Sequence, residues 1–429
     1  MSSITEHFLE YFDSSIEKLE DRLPLGGVRA IARKRFAEEG FPHRKMEKWR
    51  NTSLRSIKEY IRSQESDYPK IDKSEWPSRF QDAPVLVNGK MEDASYWEEA
   101  ENGVQVGSLR IAIQRYPDLV KSYFNKNNKE ELYGTFALNT MLASDGLWVY
   151  VPKGVQLEEP IIAVQYTSGI SPAVFQLRNI FIVENGAEAE VQILQTSDMS
   201  DHHFIQDITE CFVGDRAILR RHVLQQFQGE TIAFSTAFSA QGAASEYISN
   251  VCTLKSFQTR NEQHVLFQEP GSVARLGGLY ISAKKERVEN QVFIDHAVPE
   301  CDSHENFAGV LSEDAQGAFT GHILVREDAQ KTNAFQASNN MVLSDTARVR
   351  SLPFLEIYAD DVKCSHGATV GKLNDEALFY LRSRGINEKE ARNILLTSFA
   401  AGTLENIQDE PYKQLLIDEL QSKLSEINV

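Results

Sequence analysis

The sequence contains little cysteine, no long hydrophobic run and no stretch that predicts a secretory signal. Its four cysteines are spread along 429 residues, and they form neither a CxxC pair nor a compact disulfide framework. No stretch approaches the ~18 consecutive apolar residues that a membrane-spanning helix requires. The N-terminal stretch MSSITEHFLEYFDSSIEKLED lacks the basic and apolar regions of a secretory signal peptide. These absences predict a cytoplasmic protein that does not enter a membrane.

Basic residues are outnumbered by acidic ones. With 45 Lys+Arg against 62 Asp+Glu, the formal net charge is −17 at pH 7. Phosphate-rich partners reward clustered Lys and Arg, so this balance argues against a general nucleic-acid or anionic-membrane surface. A local exception runs from Arg29 to Arg50, but Glu38, Glu39 and Glu47 interrupt it. We interpret this basic segment as a solvated helix surface.

The sequence also lacks the common nucleotide-binding and hydrolase motifs. No GxGxxG, GxSxG or HExxH is present. The segment GATVGKL, from Gly367 to Leu373, resembles a Walker A loop, but it is one residue short between its glycines. Leu373 also stands where a Ser or Thr must meet Mg²⁺. Direct chemistry on ATP, on dinucleotides or at a serine or zinc hydrolase centre is therefore not predicted.

Residues 1–80 are predicted to form a helical N-terminal region. Apolar residues from Phe8 to Leu19 recur at the 3.6-residue spacing of one helix face. A second helix is expected over Val28 to Glu39, ended by Gly40. Residues 81–135 have mixed character and are taken as a connecting region.

Residues 136–372 are rich in short, alternating segments typical of strands. A turn, a small apolar residue and a strand recur at intervals of 26–41 residues, and this recurrence indicates a stacked architecture. The recurrence is anchored on Ala187, Ala217, Ala243, Ala274, Ala315 and Ala347. The units are too short for propeller blades of ~40–50 residues, so we predict the stacked coils of a parallel β-helix. An irregular β-sandwich is the alternative.

Residues 373–429 are predicted to form a small helical C-terminal domain. Asn374 can cap a first helix, and Asn387 and Glu390 form a capping-box-like pair before a second one. A third helix fits Tyr412 to Leu424. Because three short helices cannot bury all their apolar side chains among themselves, we expect them to pack on the β-rich zone and to offer surface to a partner.

The segment HAVPECDSH contains residue types that bind metals. It supplies His296, Cys301, Asp302 and His304, but their spacing matches no zinc pattern. A strand would also place successive side chains on opposite faces. We therefore favour turn and core roles for these residues over metal binding.

A second cluster of such residues lies in YADDVKCSHGATVG, from Tyr358 to Gly371. Cys364 and His366 are two residues apart, so on one strand both would project from the same face. A thiolate and an imidazole can together bind a soft or borderline metal such as iron or zinc. Two ligands do not complete a tetrahedral site, so further donors would have to come from elsewhere in the chain or from another chain. The alternative is a buried cysteine beside a hydrogen-bonded histidine.

Four motifs make the chain resemble the SufB/SufD family of the SUF iron–sulfur cluster assembly machinery. They are YADDVKCSHGATVGKLNDEALFYLRSRGI, EDAQKTNAFQASNNMVLSDTARVRSLPFLEI, FALNTMLASDGLWVYVPKGVQLEEPI and GFPHRKMEKWRNTSL. The resemblance extends over nearly the whole chain and is weakest around 60–130. SufB members typically show a HEATTS-like run where this chain has SHGATV, and they carry extra cysteines that this chain lacks. The resemblance is therefore to the SufD side of the family.

This resemblance implies a mainly β fold, in which a right-handed parallel β-helix is flanked by a helical N-terminal region and a small helical C-terminal domain. It also implies a non-catalytic scaffold subunit, which pairs with SufB through the β-helix ends and docks the SufC ATPase on the C-terminal domain. No cofactor would be bound permanently, and a nascent iron–sulfur cluster would form transiently at the SufB interface. A homodimer that mimics the SufB pair is compatible with an exposed β edge.

The resemblance also assigns site residues by position. His366 matches a family histidine proposed as a cluster ligand at the interface, and Cys364 matches a nearby family cysteine. The family's SufC-binding surface maps onto the helix pair around Leu378 to Leu404. Within that surface, we expect Phe379, Arg382, Arg384, Asn387 and Leu395 to face the partner.

Two other function classes stay open at this point. A β-helix carbohydrate-active enzyme would need acidic residues in a groove along one face. An iron or zinc protein would need Cys301, His304, Cys364 and His366 to converge on one metal. The specificity of the 358–386 motif favours the scaffold.

Overall fold

The structure, a computed structural model, describes residues 3–43, 45–50, 52, 54, 57, 71–126, 134–169, 173–198 and 203–427. Over these ranges the chain forms eight α-helices and twenty β-strands. The strands build a parallel β-helix with helical parts before and after it, which confirms the predicted fold class. The part of the predicted helical region at 58–70 lies outside the described residues. No helix of the described part is long and apolar enough to cross a bilayer.

The helices fall into an N-terminal, a connecting and a C-terminal group. Their bounds are α1 Ser3–Arg22, α2 Gly27–Glu39, α3 Leu109–Arg115, α4 Pro117–Tyr123, α5 Gly134–Leu142, α6 Asp375–Ser383, α7 Glu388–Ala401 and α8 Glu410–Glu426. Local signals set several of these ends. α2 ends at Gly40, whose φ of 73° few other residues adopt. Asn374 caps α6 by accepting the N–H of Ala377 at 3.0 Å.

The strands are mostly ten or eleven residues long from the seventh onward. Their bounds are β1 Val85–Val87, β2 Lys90–Met91, β3 Trp97–Glu99, β4 Gln105–Ser108, β5 Leu147–Val151, β6 Ile161–Thr167, β7 Ala173–Val183, β8 Glu188–Ser197, β9 His203–Val213, β10 Ile218–Gln226, β11 Ile232–Gln241, β12 Glu246–Lys255, β13 Gln258–Phe267, β14 Val273–Ser282, β15 Arg287–His296, β16 Asp302–Leu311, β17 Gln316–Val325, β18 Thr332–Val342, β19 Arg348–Ile357 and β20 Val362–Gly371.

Successive strands alternate between two sheets. Sheet A runs β2-β1-β6-β8-β10-β12-β14-β16-β18-β20, and sheet B runs β19-β17-β15-β13-β11-β9-β7-β5-β4-β3. From β7 to β20 each coil adds one parallel strand to each sheet, giving seven coils in the described chain. Gln165, Gln195 and Gln225 occupy equivalent positions on three coils, and their side-chain amides bond at 2.7 and 2.8 Å. One coil here therefore takes thirty residues.

The recurring alanines do not mark one equivalent position in every coil. Ala187 and Ala217 directly precede strands of sheet A, whereas Ala315 and Ala347 directly precede strands of sheet B. The six alanines thus sample both sheets, which explains their irregular intervals. The stacked architecture inferred from them is nevertheless confirmed.

The C-terminal helices pack on the outer face of sheet A, as their apolar content predicted. Leu416 and Leu420 of α8 are buried in one cluster with Leu224 and other outward-facing residues of sheet A. The Tyr412 ring stacks on His222, with centroids 5.8 Å apart. Burial lowers the pKa of His222 to about 3, so its imidazole is neutral beneath the helix.

The chain after α2 crosses the outer face of sheet B. The buried Trp49 ring lies over Arg260, whose guanidinium carbon is 3.9 Å from the ring centroid. Thr52 donates its hydroxyl proton to Glu289 Oε2 at 2.5 Å. We call the described residues between 45 and 54 the strap.

The basic segment is therefore not simply a solvated helix surface. Arg29 is fully buried and bonds to the carbonyls of Leu23 and Met141, both at 2.7 Å, and its guanidinium lies 3.0 Å from Glu20. Burial lowers the pKa of Arg29 to about 10. This buried guanidinium joins the N-terminal helices to α5, and the later part of the segment forms the strap.

Candidate functional site

The β-helix has one open end. Sheet A terminates with β20 and sheet B with β19, and in the described chain each pairs with one neighbouring strand only. The outer edges of both strands therefore present backbone N–H and C=O groups with no strand beside them. Nearly all residues of β19 and β20 are half-buried or exposed, whereas most of β16 is buried. We call β19, β20 and their side chains the open end.

Cys364 and His366 lie on β20 and share one face of the strand, as their spacing predicted. That face points into the β-helix, because Cys364 stacks on the buried Ala334 and packs against the main core. Burial raises the pKa of the half-buried Cys364 thiol. His366 stacks on Gln336, but its own side chain is exposed, since no further coil covers it. The structure thus brings a thiol and an imidazole together at the mouth of the open end.

A polar row runs inward from His366, and sequence reasoning did not find it. Strand register places Glu305, Gln336 and His366 at equivalent positions of β16, β18 and β20. Gln336 Nε2 donates to Glu305 Oε2 at 2.9 Å. Gln336 fits because it faces Gly321, where an added Cβ would lie 2.0 Å from Gln336 Nε2. Burial raises the pKa of Glu305 to about 8, so this carboxyl stays protonated at neutral pH.

Large apolar side chains surround the open end and are exposed. Four of them are at least 38% exposed: Phe354, Ile357, Tyr358 and Val370. Soluble chains seldom expose several such side chains together unless they form a binding surface. These residues fall within the predicted β-rich zone, but nothing in the sequence identifies the last coil as the uncovered one.

The candidate residues of segment 296–304 do not converge on a metal. His296 is buried and its Nε2 lies 2.9 Å from Ser303 Oγ, while Asp302 accepts from the side chain of Asn333. His304 faces outward and stacks on Phe335, on the other face of sheet A from His366. Within the described ranges, no group of three or more His, Cys, Asp or Glu could hold a metal ion. The alternative of an iron or zinc site formed by Cys301, His304, Cys364 and His366 is therefore wrong.

In the grooves of sheet B, two carboxylates are held in ion pairs with an arginine, and a third is hydrogen-bonded to a histidine. Glu262 and Glu289 approach Arg260 to 2.5 and 2.7 Å, and Glu356 approaches His322 to 3.0 Å. Burial acts to raise the pKa of Glu262, but Arg260 outweighs it and lowers the pKa to about 2. A glycoside-cleaving site requires one carboxyl that stays protonated as the general acid. These grooves do not supply that acid, so the carbohydrate-active alternative gains no support.

Helix α6 exposes an aromatic face to solvent. Phe379 is 73% and Tyr380 is 56% exposed, whereas Leu378 on the opposite side is buried. The Arg384 guanidinium carbon lies 5.2 Å from the Tyr380 ring centroid. Arg382 is also exposed and lies 3.3 Å from Glu388. Sequence reasoning selected Phe379 and the two arginines but missed Tyr380.

The other two residues expected on this surface, Asn387 and Leu395, are less available to a partner. Asn387 caps α7, since its side chain accepts the N–H of Glu390 at 2.9 Å. Leu395 is half-buried, and its neighbour Leu396 is the residue that fills the core. Ile394, 43% exposed, is a further apolar residue on α7 that the sequence did not single out.

Comparison with family models matches the two halves of the chain separately. A model described as "SUF system FeS cluster assembly, SufBD core domain" matches residues 166–399, more than half of the chain. A model described as "SufBD protein N-terminal region" matches residues 2–163. The first range contains most of the β-helix, both candidate ligands and the aromatic face of α6.

Individual relatives match over similarly long stretches. An iron–sulfur cluster assembly SufBD family protein of Synechocystis is 28% identical over 381 residues, covering 85% of this chain and 84% of the relative. The iron–sulfur cluster assembly protein SufD of Escherichia coli is 27% identical over 404 residues, covering 90% of each chain. SufD of Bacillus subtilis is 26% identical over 330 residues, covering 76% of this chain and 75% of the relative.

Proposed function

Because the chain belongs to the SufBD family of the SUF iron–sulfur cluster assembly system, we propose that it is a scaffold subunit without catalysis of its own. In this proposal, the open end pairs with SufB, and the C-terminal helices dock the SufC ATPase. A nascent cluster is held transiently between the open end and SufB. The observation that carries the proposal is the position of Cys364 and His366 on the last, uncovered strand.

The open end has the chemistry of a β-to-β interface. Two uncovered edge strands offer backbone hydrogen bonds to a further pair of strands. Phe354, Tyr358 and Val370 supply apolar area that a partner would remove from water at about 25 cal/mol per Å². A second β-helix that presents its own open end would satisfy both requirements at once. SufB is that partner in this proposal. When SufB is absent, a second copy of this chain would occupy the open end instead.

The ligand set of the open end suits a cargo that must be released. Iron–sulfur clusters are held by thiolates and, in some centres, by histidines. Cys364 and His366 provide at most one of each, so a cluster would need donors from the partner chain as well. An incomplete set in each chain means that separating the two chains weakens the hold on the cluster. That property favours a scaffold over a permanent cluster protein.

The aromatic face of α6 supports a docking site for SufC. Phe379 and Tyr380 are exposed, whereas apolar residues of α7 and α8 such as Leu396 and Leu416 are buried against sheet A. Arg382 and Arg384 flank them and add positive charge to a chain of net charge −17. Aromatic residues and arginines are the residue types enriched where binding energy concentrates.

Co-purification tests the pairing. The variant Val370→Lys places a charge on an exposed residue of β20 and should reduce recovery of SufB at least tenfold when the chain is co-expressed with SufB and SufC. Ile31→Lys is the matched control, because Ile31 is 72% exposed on α2, outside the open end. Full recovery of SufB with Val370→Lys, in a protein that melts like the unchanged chain, would contradict pairing through the open end.

A further inference from the structure

A groove lined by arginines lies on the outer face of sheet B, beside the strap. Its volume is about 270 Å³. It is distinct from the inward-facing row of Cys364 and His366, because it lies outside the β-helix and on the other sheet. Five arginines line it: Arg50, Arg260, Arg287, Arg348 and Arg350.

Strand register arranges four of these arginines in two outward-facing rows. Arg287 and Arg348 share one row, on β15 and β19, and are separated by Gln316 on β17. At about 4.8 Å between strands, their Cα atoms are roughly 10 Å apart. In the next row, Arg260 is followed by Glu289, and Ala318 separates Glu289 from Arg350. Because the side chain of Ala318 is short, it leaves space between the guanidinium groups on either side of it.

The groove carries excess positive charge. Arg260 is neutralised, since Glu262 and Glu289 lie 2.5 and 2.7 Å from it. Among the ion pairs between described residues, none includes Arg50, Arg287 or Arg348. Two backbone carbonyls, those of Asp345 and Ala347, hold Arg348 Nη1 at 2.7 and 2.9 Å and so fix its position. Arg348 is thus a positioned guanidinium group that has no carboxylate partner among the described residues.

An apolar compartment of about 580 Å³ adjoins the arginine groove and shares Arg50 and Arg350 with it. Rings from three successive strands line this compartment, with Phe293 and His322 edge to face at 5.2 Å and Phe354 next in register. A ligand that placed an anionic group among the arginines could therefore place an attached ring or hydrocarbon here.

We propose that the arginine groove binds a small phosphate-type oxyanion, either free or as an organic phosphate whose apolar part occupies the adjoining compartment. Guanidinium groups form paired, charge-assisted hydrogen bonds with phosphate oxygens. Arg287 and Arg348 would supply these bonds, and Arg50 of the strap lines the same groove. This site goes beyond the scaffold role, and it shares Arg348 and Phe354 of β19 with the open end.

Titration calorimetry on the full-length chain tests the proposal with two probes, inorganic phosphate and phenyl phosphate. We expect saturable binding, with phenyl phosphate at least tenfold tighter if the adjoining compartment takes part. Equal affinity for the two probes would mean that the groove binds free phosphate and that the adjoining compartment does not take part. Arg287→Gln and Arg348→Gln should each weaken binding at least tenfold. Arg275→Gln is the matched control, because Arg275 is a half-buried arginine on sheet A, outside the groove, and this change should leave binding unchanged.

Three outcomes would overturn the proposal. The first is the absence of binding by the unchanged chain at millimolar concentrations of either probe. The second is equal binding by the unchanged chain and by a folded double variant of Arg287 and Arg348. Binding of an acidic peptide in place of both phosphates would likewise reject the small-molecule site and assign the groove to a protein partner.

Discussion

Glu305 and His366 lie in the same inward-facing row of sheet A, two coils apart, and Gln336 fills the position between them. The carboxyl of Glu305 is buried and protonated at neutral pH, because burial raises its pKa to about 8. The row therefore changes from a neutral, hydrogen-bonded interior at Glu305 to an exposed imidazole at the mouth. The imidazole is thus exposed at the end of the row, while the carboxyl of Glu305 beneath it stays uncharged.

The first prediction concerns the pH dependence of stability. Between about pH 4.5 and 8, Glu305 loses its proton in the unfolded chain but keeps it in the folded one. The folded state then binds more protons, so the free energy of unfolding falls as pH rises, by about 1.4 kcal/mol per pH unit. The variant Glu305→Gln lacks this pH dependence. Between pH 5 and pH 8, its free energy of unfolding should therefore rise by roughly 4 kcal/mol relative to that of the unchanged chain.

Urea denaturation of both proteins at pH 5, 6.5 and 8 measures this difference. Gln is the appropriate replacement, because it has the shape of the protonated Glu305 side chain and cannot ionise. An equal change of unfolding free energy with pH in the two proteins would contradict a buried, protonated Glu305.

The second prediction concerns the strap. Trp49 is 1% exposed and lies over Arg260, so Trp49→Ala leaves a cavity and uncovers a buried guanidinium. Removing a buried Trp side chain costs about 3–5 kcal/mol. Trp97→Ala is the matched control, since Trp97 is half-buried and stacks on Tyr116, and its loss should cost less. Equal losses of stability in urea denaturation would mean that the strap does not stabilise sheet B.

The third prediction concerns the aromatic face of α6. The double variant Phe379→Ser and Tyr380→Ser should leave the melting temperature of the chain nearly unchanged, because both rings are exposed. It should weaken SufC binding by tenfold or more, since exposed aromatic anchors dominate such interfaces. Surface plasmon resonance with immobilised SufC gives the affinity. Leu395→Asp is a less informative test, because a charge at this half-buried residue next to Leu396 would also disturb folding.

Local signals in the sequence predicted the parts of the fold that depend on near neighbours. Asn374 and Asn387 were identified as helix caps because the capping side chain binds an N–H three residues ahead. The spacing of Cys364 and His366 predicted one face, since alternation along a strand depends only on the strand itself. The repeated turn-and-strand units predicted stacking because each unit is too short to bury its own side chains.

Contacts between distant residues could not be predicted in this way. The strap contact joins Trp49 to Arg260, and the buried Arg29 meets the Met141 carbonyl. Neither pairing leaves a periodic signal in the sequence. Glu305 belongs to a strand whose neighbouring residues are also polar, so only the register shows that it points inward. The same limit applies to the open end, which is defined by the absence of a following coil rather than by any residue type.

The most direct test of the scaffold account is the cluster content of complexes assembled anaerobically from this chain, SufB and SufC, with and without His366→Ala. His304→Ala is the matched control, because His304 lies on the same sheet but on the opposite face. The account predicts intact complexes in all cases, with iron and acid-labile sulfide at least tenfold lower in the His366→Ala complex only. Unchanged iron and sulfide in an intact His366→Ala complex would contradict the assignment of the cluster to the open end.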